Sequence, residues 1–157
     1  MENLVYAIVL LPLIGFVING LFGKRLPKAL VGGLATLVVF AAFLISVSIF
    51  IGFPADGTPV IVKAFEWCTI GGIQVNFGFQ IDQLSLMMMM IVTGIGSLIH
   101  LYSIGYMSHD KGFYKFFTYL NLFIFSMLLL VMGSNYLILF IGWEGVGLCS
   151  YLLIGFW

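Results

Sequence analysis

Glu144 is the residue with the clearest chemical signal. It stands inside the apolar run from Tyr136 to Trp157, which holds no other charged residue. Counted from Tyr136 it lies eight residues in, roughly 12 Å along a helix and well inside hydrocarbon that is about 30 Å thick. Placing a carboxyl there costs about 2.5 to 3.5 kcal/mol even on lenient insertion scales, and such groups usually line proton or ion pathways or pair with another polar group. A buried carboxyl favours its neutral form and a nearby cation favours the ionised one, so a moving partner could make Glu144 take up and release a proton. The bland alternative is a permanently protonated Glu that hydrogen-bonds helices together. Gly142, Gly145 and Gly147 surround it, small enough for a neighbouring helix or water to approach.

His100 is the second candidate, for a proton relay, because imidazole titrates near neutrality. A packing histidine satisfied by a neighbour is the competing account. Asp82 directly precedes an apolar run with Ser85 three residues on, the pattern of a helix N-cap. The methionines from Met87 to Met90 read as flexible filler facing lipid and core. Cys68 and Cys149 are 81 residues apart and belong to no CxxC. They read as small apolar residues, and no metal site is expected. Paired His, Cys clusters and Gly-rich phosphate loops are likewise missing from the sequence, so no redox cofactor is expected in this chain.

The elements that position these groups follow from composition. Of 157 residues, 62% are hydrophobic and 8% charged, against about 25% charged in a soluble domain. A water-soluble fold is excluded. Six basic and six acidic residues leave a formal charge of zero, so nucleic acid is not an expected partner. Crossing a bilayer takes roughly 20 apolar residues. Five stretches qualify, at about 3–22, 29–53, 83–108, 116–134 and 136–157. The first lacks the basic start of a signal peptide and reads as a retained span. All six Lys and Arg are expected in the loops between spans. The loops after spans one and three carry Lys24, Arg25, Lys28, Lys111 and Lys115, whereas those after spans two and four carry only Lys63. Because cytoplasmic loops are enriched in such residues, the N-terminus is predicted to face outward.

Between the second and third spans, Ile73, Val75, Phe77, Phe79 and Ile81 alternate with Gln74, Asn76, Gly78, Gln80 and Asp82. That is the two-residue period of a strand. With an opposing run from Val60 to Ile70 and Gly71-Gly72 between them, the pattern predicts an extracytoplasmic β-hairpin over about 60–80. A lone hairpin is marginal in water, so its apolar face should pack on helix ends or on a neighbouring subunit. The fold class is therefore all-α integral membrane with one hairpin. The apolar end at Trp157, without a basic flank or polar tail, leads us to expect a chain that continues.

Four runs carry a resemblance to a known family. They are Ile81 to Ser85, Leu98 to Met107, Phe116 to Phe123, and the specific Gly142-Trp143-Glu144-Gly145-Val146-Gly147 with its continuation to Trp157. The chain resembles the largest antiporter-like subunits of bacterial NADH:quinone oxidoreductase, respiratory complex I, and their mitochondrial subunit 5 equivalents. The resemblance implies an N-terminal portion, 1–157, of a larger antiporter-like membrane domain in a bacterial inner membrane. It implies a proton-translocating subunit whose carboxyl at Glu144 pairs with a lysine on a later, broken helix. FMN, iron-sulfur clusters and quinone belong, on this resemblance, to the assembled complex and not to this chain. The implied partners are other membrane subunits, especially a neighbouring antiporter-like one, and the lipid bilayer. The large subunit of Mrp-type cation/proton antiporters is similar in this region and gives a second reading. A structural assembly scaffold, with Glu144 merely packing, is a third.

Overall fold

The computed structural model describes residues 2–54, 57–70 and 73–157. Five helices, α1 (Glu2–Phe22), α2 (Lys28–Ile51), α3 (Gln83–Tyr106), α4 (Phe113–Met132) and α5 (Tyr136–Ile154), are each long and apolar enough to cross a membrane. Two strands, β1 (Val60–Ile70) and β2 (Ile73–Ile81), separate α2 from α3. The molecule is a multi-pass membrane protein. The element order agrees with the pattern of apolar runs, but seven helix ends differ by one to three residues, the start of α4 and the end of α5 most. α4 begins at Phe113, three residues before the expected Phe116, because the Phe113 ring is buried between α2 and α3, with Ile104 beside it. Lys115 is therefore in the first turn of α4, and Lys28 opens α2 one residue before the expected start, so neither lies in a loop. α5 stops at Ile154, where the Gly155 N–H donates to Tyr151 O at 2.9 Å and closes the last turn.

α4 is the hub. It packs against α1, α2, α3 and α5 and also touches β2, and it is the most buried of the spans. One core layer, near the hairpin, gathers Val5, Ile8, Val39, Ile81, Met89, Leu128 and Met132. The other lies at the opposite end around Val31, Met107, Phe113 and Phe117. Met89 is fully buried while Met87 faces outward, so the methionine run divides between core and lipid.

The strands pair antiparallel, with Val62 opposite Phe79 and Val60 opposite Ile81. Register shifts after Lys63 and after Glu66 were not legible in the sequence. The first shift brings Phe65 opposite Phe77, so the odd-numbered Phe65 shares a sheet face with the even-numbered Val60 and Val62, as an extra bulge residue allows. Those two rings stack with centroids 5.1 Å apart. The buried side chains Val62, Phe79 and Ile81 join the helical core, so the apolar face packs on helix ends. Polar ties hold it there. Tyr6 donates its hydroxyl to Lys63 O at 3.0 Å, Ser134 N–H reaches Gly78 O at 3.2 Å, and Asn135 Nδ2 donates to Asn76 O at 2.7 Å. The predicted turn at Gly71-Gly72 lies outside the described residues.

Asp82 joins the hairpin to α3 through a reciprocal cap. Its Oδ1 accepts from the Ser85 N–H at 2.7 Å, and its own N–H donates to Ser85 Oγ at 2.8 Å. The Ser85 N–H is the main reason that the Asp82 carboxyl titrates below its ordinary value, with burial opposing and Gln80 assisting. A depressed folded-state value stabilises the fold above the unfolded value and ceases to do so as pH falls through the folded one. Asp82→Ala should therefore lower stability by about 0.5 to 2 kcal/mol at neutral pH. The deficit should shrink below the usual carboxylate range, as read from unfolding midpoints in detergent across pH.

Candidate functional site

Asn135 caps α5 and fixes where Glu144 falls along it. The Asn135 Oδ1 accepts from the Leu137 and Ile138 N–H groups, each at 3.1 Å. On that helix, Ile138, Gly142 and Cys149 are buried, and with Gly145 they form one face. This face meets α4 very closely. A Cβ on Gly142 would lie 2.7 Å from Leu130 Cα, and one on Gly145 2.6 Å from Ser126 Oγ. Gly142 is therefore required by the backbone of α4, Gly145 faces the Ser126 side chain, and a Cβ on Gly147 would meet open space.

Glu144 points elsewhere. At about 100° per residue it is displaced by more than a quarter turn from the α4 contact. It shares its exposed face with Phe140, Leu148 and Tyr151. In the five-helix unit the Glu144 side chain is exposed, and its carboxylate has no hydrogen-bond or ion-pair partner among the described residues. The reason is geometric. The glycines that allow close packing turn one face of α5 toward α4, and Glu144 falls outside it.

His100, in contrast, is only 1% exposed. Its Nδ1 lies 2.7 Å from Gly96 O on its own helix, and its Nε2 lies 3.1 Å from Oδ1 of Asn121 on α4. The Phe117 ring stands beside it, with centroids 6.1 Å apart. Asn121 and Asn19 were missed by sequence reasoning, although two asparagines inside spans are a visible signal. Both are fully buried, and their Nδ2 and Oδ1 atoms respectively lack partners among the described residues. Asn19 Nδ2 reaches Val31 O at 3.4 Å, and Gly15 makes room for the Asn121 amide, which a Cβ would approach to 2.6 Å.

This arrangement accommodates two protonation states of His100. A neutral ring with its proton on Nδ1 donates to Gly96 O and offers Nε2 as an acceptor to the Asn121 Nδ2 donor. A protonated ring donates from both nitrogens and suits Oδ1. Either orientation of the amide fits the same shape. His100 and Glu144 sit on helices separated by α4, and the described side chains place no direct contact between them. Among the described residues no cluster of three or more His, Cys, Asp or Glu could hold a metal.

Comparison with known proteins gives this geometry a context. Residues 67–117 match the family model described as NADH-ubiquinone oxidoreductase (complex I), chain 5 N-terminus. NADH-quinone oxidoreductase subunit L of Rickettsia felis is 46% identical over 156 residues, covering 99% of this chain and 24% of the relative. Its Mycobacterium tuberculosis counterpart is 48% identical over 155 residues, covering 97% and 24%. The chain resembles subunit L along its whole length. NADH-ubiquinone oxidoreductase chain 5 of Hypocrea jecorina is 40% identical over 151 residues, covering 96% of the chain and 22% of the relative. The chain thus spans about a quarter of the length of these curated relatives. Among solved structures, an archaeal respiratory complex, the membrane-bound sulfane sulfur reductase, superposes with a TM-score of 0.81 at 16% identity, over 96% of this chain and 30% of that one. It shares the fold. The Mrp complex from Dietzia sp. DQ12-45-1b gives a TM-score of 0.75 at 26% identity, over 97% and 16%.

The glycine geometry distinguishes the packed face of α5 from its open one. Gly142→Ala should destabilise the unit by about 1 to 3 kcal/mol, as overpacking against a rigid backbone does. Gly147→Ala should leave α4 and α5 packed as before. Thermal unfolding midpoints in detergent distinguish the two, and equal effects would contradict the assigned contact face.

Proposed function

We propose that this chain is the N-terminal portion of a proton-translocating, antiporter-like subunit of NADH:quinone oxidoreductase, and that Glu144 is its proton-carrying carboxyl. The observation that carries this reading is the position of Glu144. An ionisable group lies midway along an apolar span, on a face that the first four helices leave uncovered, in a chain similar to subunit L from end to end. A carboxyl so placed gains a function when a polar or cationic group outside α1 to α5 meets it and shifts it between protonation states. The two helical lysines, Lys28 and Lys115, are at helix starts, so the proposed partner is a lysine from elsewhere in the protein. His100, held between Gly96 and Asn121, is the proposed relay.

The wider assignments belong to the same proposal. The assembled complex would carry FMN, iron-sulfur clusters and quinone in other subunits, with a neighbouring antiporter-like subunit beside this one. The membrane would be a bacterial inner membrane with the N-terminus outward. An Mrp-type cation/proton antiporter is the second reading, favoured by the likeness to the Dietzia complex. Under it, Glu144 would do the same proton chemistry coupled to cation flux.

Glu144→Gln keeps size and hydrogen bonding but removes titration. NADH-driven proton uptake by inverted membrane vesicles should fall severalfold at unchanged complex abundance, with quinone reduction falling in parallel. Glu144→Asp should retain part of both. Normal pumping by an assembled Gln variant would reduce Glu144 to a packing role.

Orientation has its own test. In a Cys68→Ser background, an impermeant thiol reagent applied to intact cells should modify a cysteine at position 59 and spare one at 111. The reverse pattern would invert the topology.

A further inference from the structure

A second chemical feature lies at the end of the bundle away from the hairpin and makes no use of Glu144. The loop from α1 to α2 and the loop from α3 to α4 meet there around a cavity of about 460 Å³. Lys24, Lys28, Lys111 and Lys115 line it, over apolar walls that include Leu26 and Phe113, and no Asp or Glu is among its lining residues. We propose that this cavity binds the phosphate of an anionic phospholipid headgroup.

Four ammonium groups around one concavity repel one another, so the site is poised for an anion to relieve that repulsion. Lys28 is held in place. Its Nζ donates to Ser108 O at 2.7 Å and lies 5.8 Å from the centre of the Phe113 ring. Asp110, in the same loop, lies outside the lining and offsets part of the Lys28 charge. Its Oδ1 accepts from the Gly112 N–H at 2.6 Å and its Oδ2 from the Trp157 indole at 3.1 Å. The start of α2 and the start of α4 both border the cavity. Neither has a side-chain cap or an acid in its first turn, and the positive ends of these long helices add to the lysine field.

The position favours a lipid over free phosphate. The cavity sits where α1 and α3 end and α2 and α4 begin, at the end of the bundle that the orientation proposed above turns to the cytoplasm. Leu21, Leu30 and Tyr106 are exposed on the neighbouring helix ends, where acyl chains would lie. With each water taking about 30 Å³, the space accommodates a phosphodiester with its hydration. Basic pockets between spans on the cytoplasmic side are recognised lipid-headgroup sites.

The assembled complex containing this chain can be placed in phosphatidylcholine nanodiscs doped with photoactivatable phosphatidylglycerol, and crosslinks mapped by mass spectrometry. Crosslinks are expected on the peptides carrying residues 24–31 and 111–115. Removing two charges in Lys24→Gln/Lys111→Gln should lower the labelling about 25-fold, since each lysine near a lipid surface contributes about fivefold. The Lys24→Arg/Lys111→Arg pair should keep it, and this pair with the unaltered protein decides the matter where the glutamine pair does not assemble. Equal labelling by a photoactivatable phosphatidylcholine would overturn an anionic site. Loss of labelling in millimolar inorganic phosphate, but not in chloride of equal ionic strength, would overturn the lipid and assign the cavity to soluble phosphate.

Discussion

Hydrocarbon offers no hydrogen-bond partner, and the structure depends on that constraint throughout. The five spans satisfy their backbones internally as helices, the only local solution in lipid apart from a closed barrel. Their hydroxyls follow the same rule. Thr36, Ser46, Thr93, Ser103 and Thr118 each fold back onto a carbonyl four residues earlier in the same helix, at 2.7 to 2.9 Å. None of these bonds requires a partner helix. Among the described residues the strands lie in one hairpin, tied to helix ends through Tyr6, Ser134 and Asn135.

Against that background, the polar groups that do not satisfy themselves locally stand out. His100 and Asn121 bond across two helices in the core, and buried amide atoms of Asn19 and Asn121 have no partner among the described residues. Glu144 leaves the unit altogether and faces outward from α5. An unpaired carboxyl is costly to keep in hydrocarbon. The fold is centred on α4 and leaves that face of α5 uncovered among the described residues.

The two ends of the bundle are chemically unlike. At one, aromatic and aliphatic side chains of the hairpin close the core, with Phe79 packed edge-on against Tyr6 and Phe77, their planes 72° and 89° apart. At the other, lysines surround an open cavity above Phe113 and Phe117, whose rings lie 4.7 Å apart. The aromatic layer beneath the lysines separates charge from the apolar core, a division expected where a membrane meets water.

The sequence by itself determined the number of spans, the hairpin and the residue with the strongest chemical signal, because each depends on local period or local polarity. Twenty apolar residues dictate a span, alternation from Ile73 to Asp82 dictates a strand, and Glu144 is conspicuous wherever its helix packs. Helix ends were less legible, since α4 gains its first turn from the burial of Phe113 between α2 and α3. Only tertiary structure decided which way each side chain faces. Gly142 and Gly145 turn α5 so that Glu144 is left outside the five-helix unit, and Gly15 opens the space that Asn121 needs beside His100. The bulges that align Phe65 with Phe77 depend likewise on what lies across the strand. These outcomes rest on contacts between residues far apart in the chain, which no local pattern records.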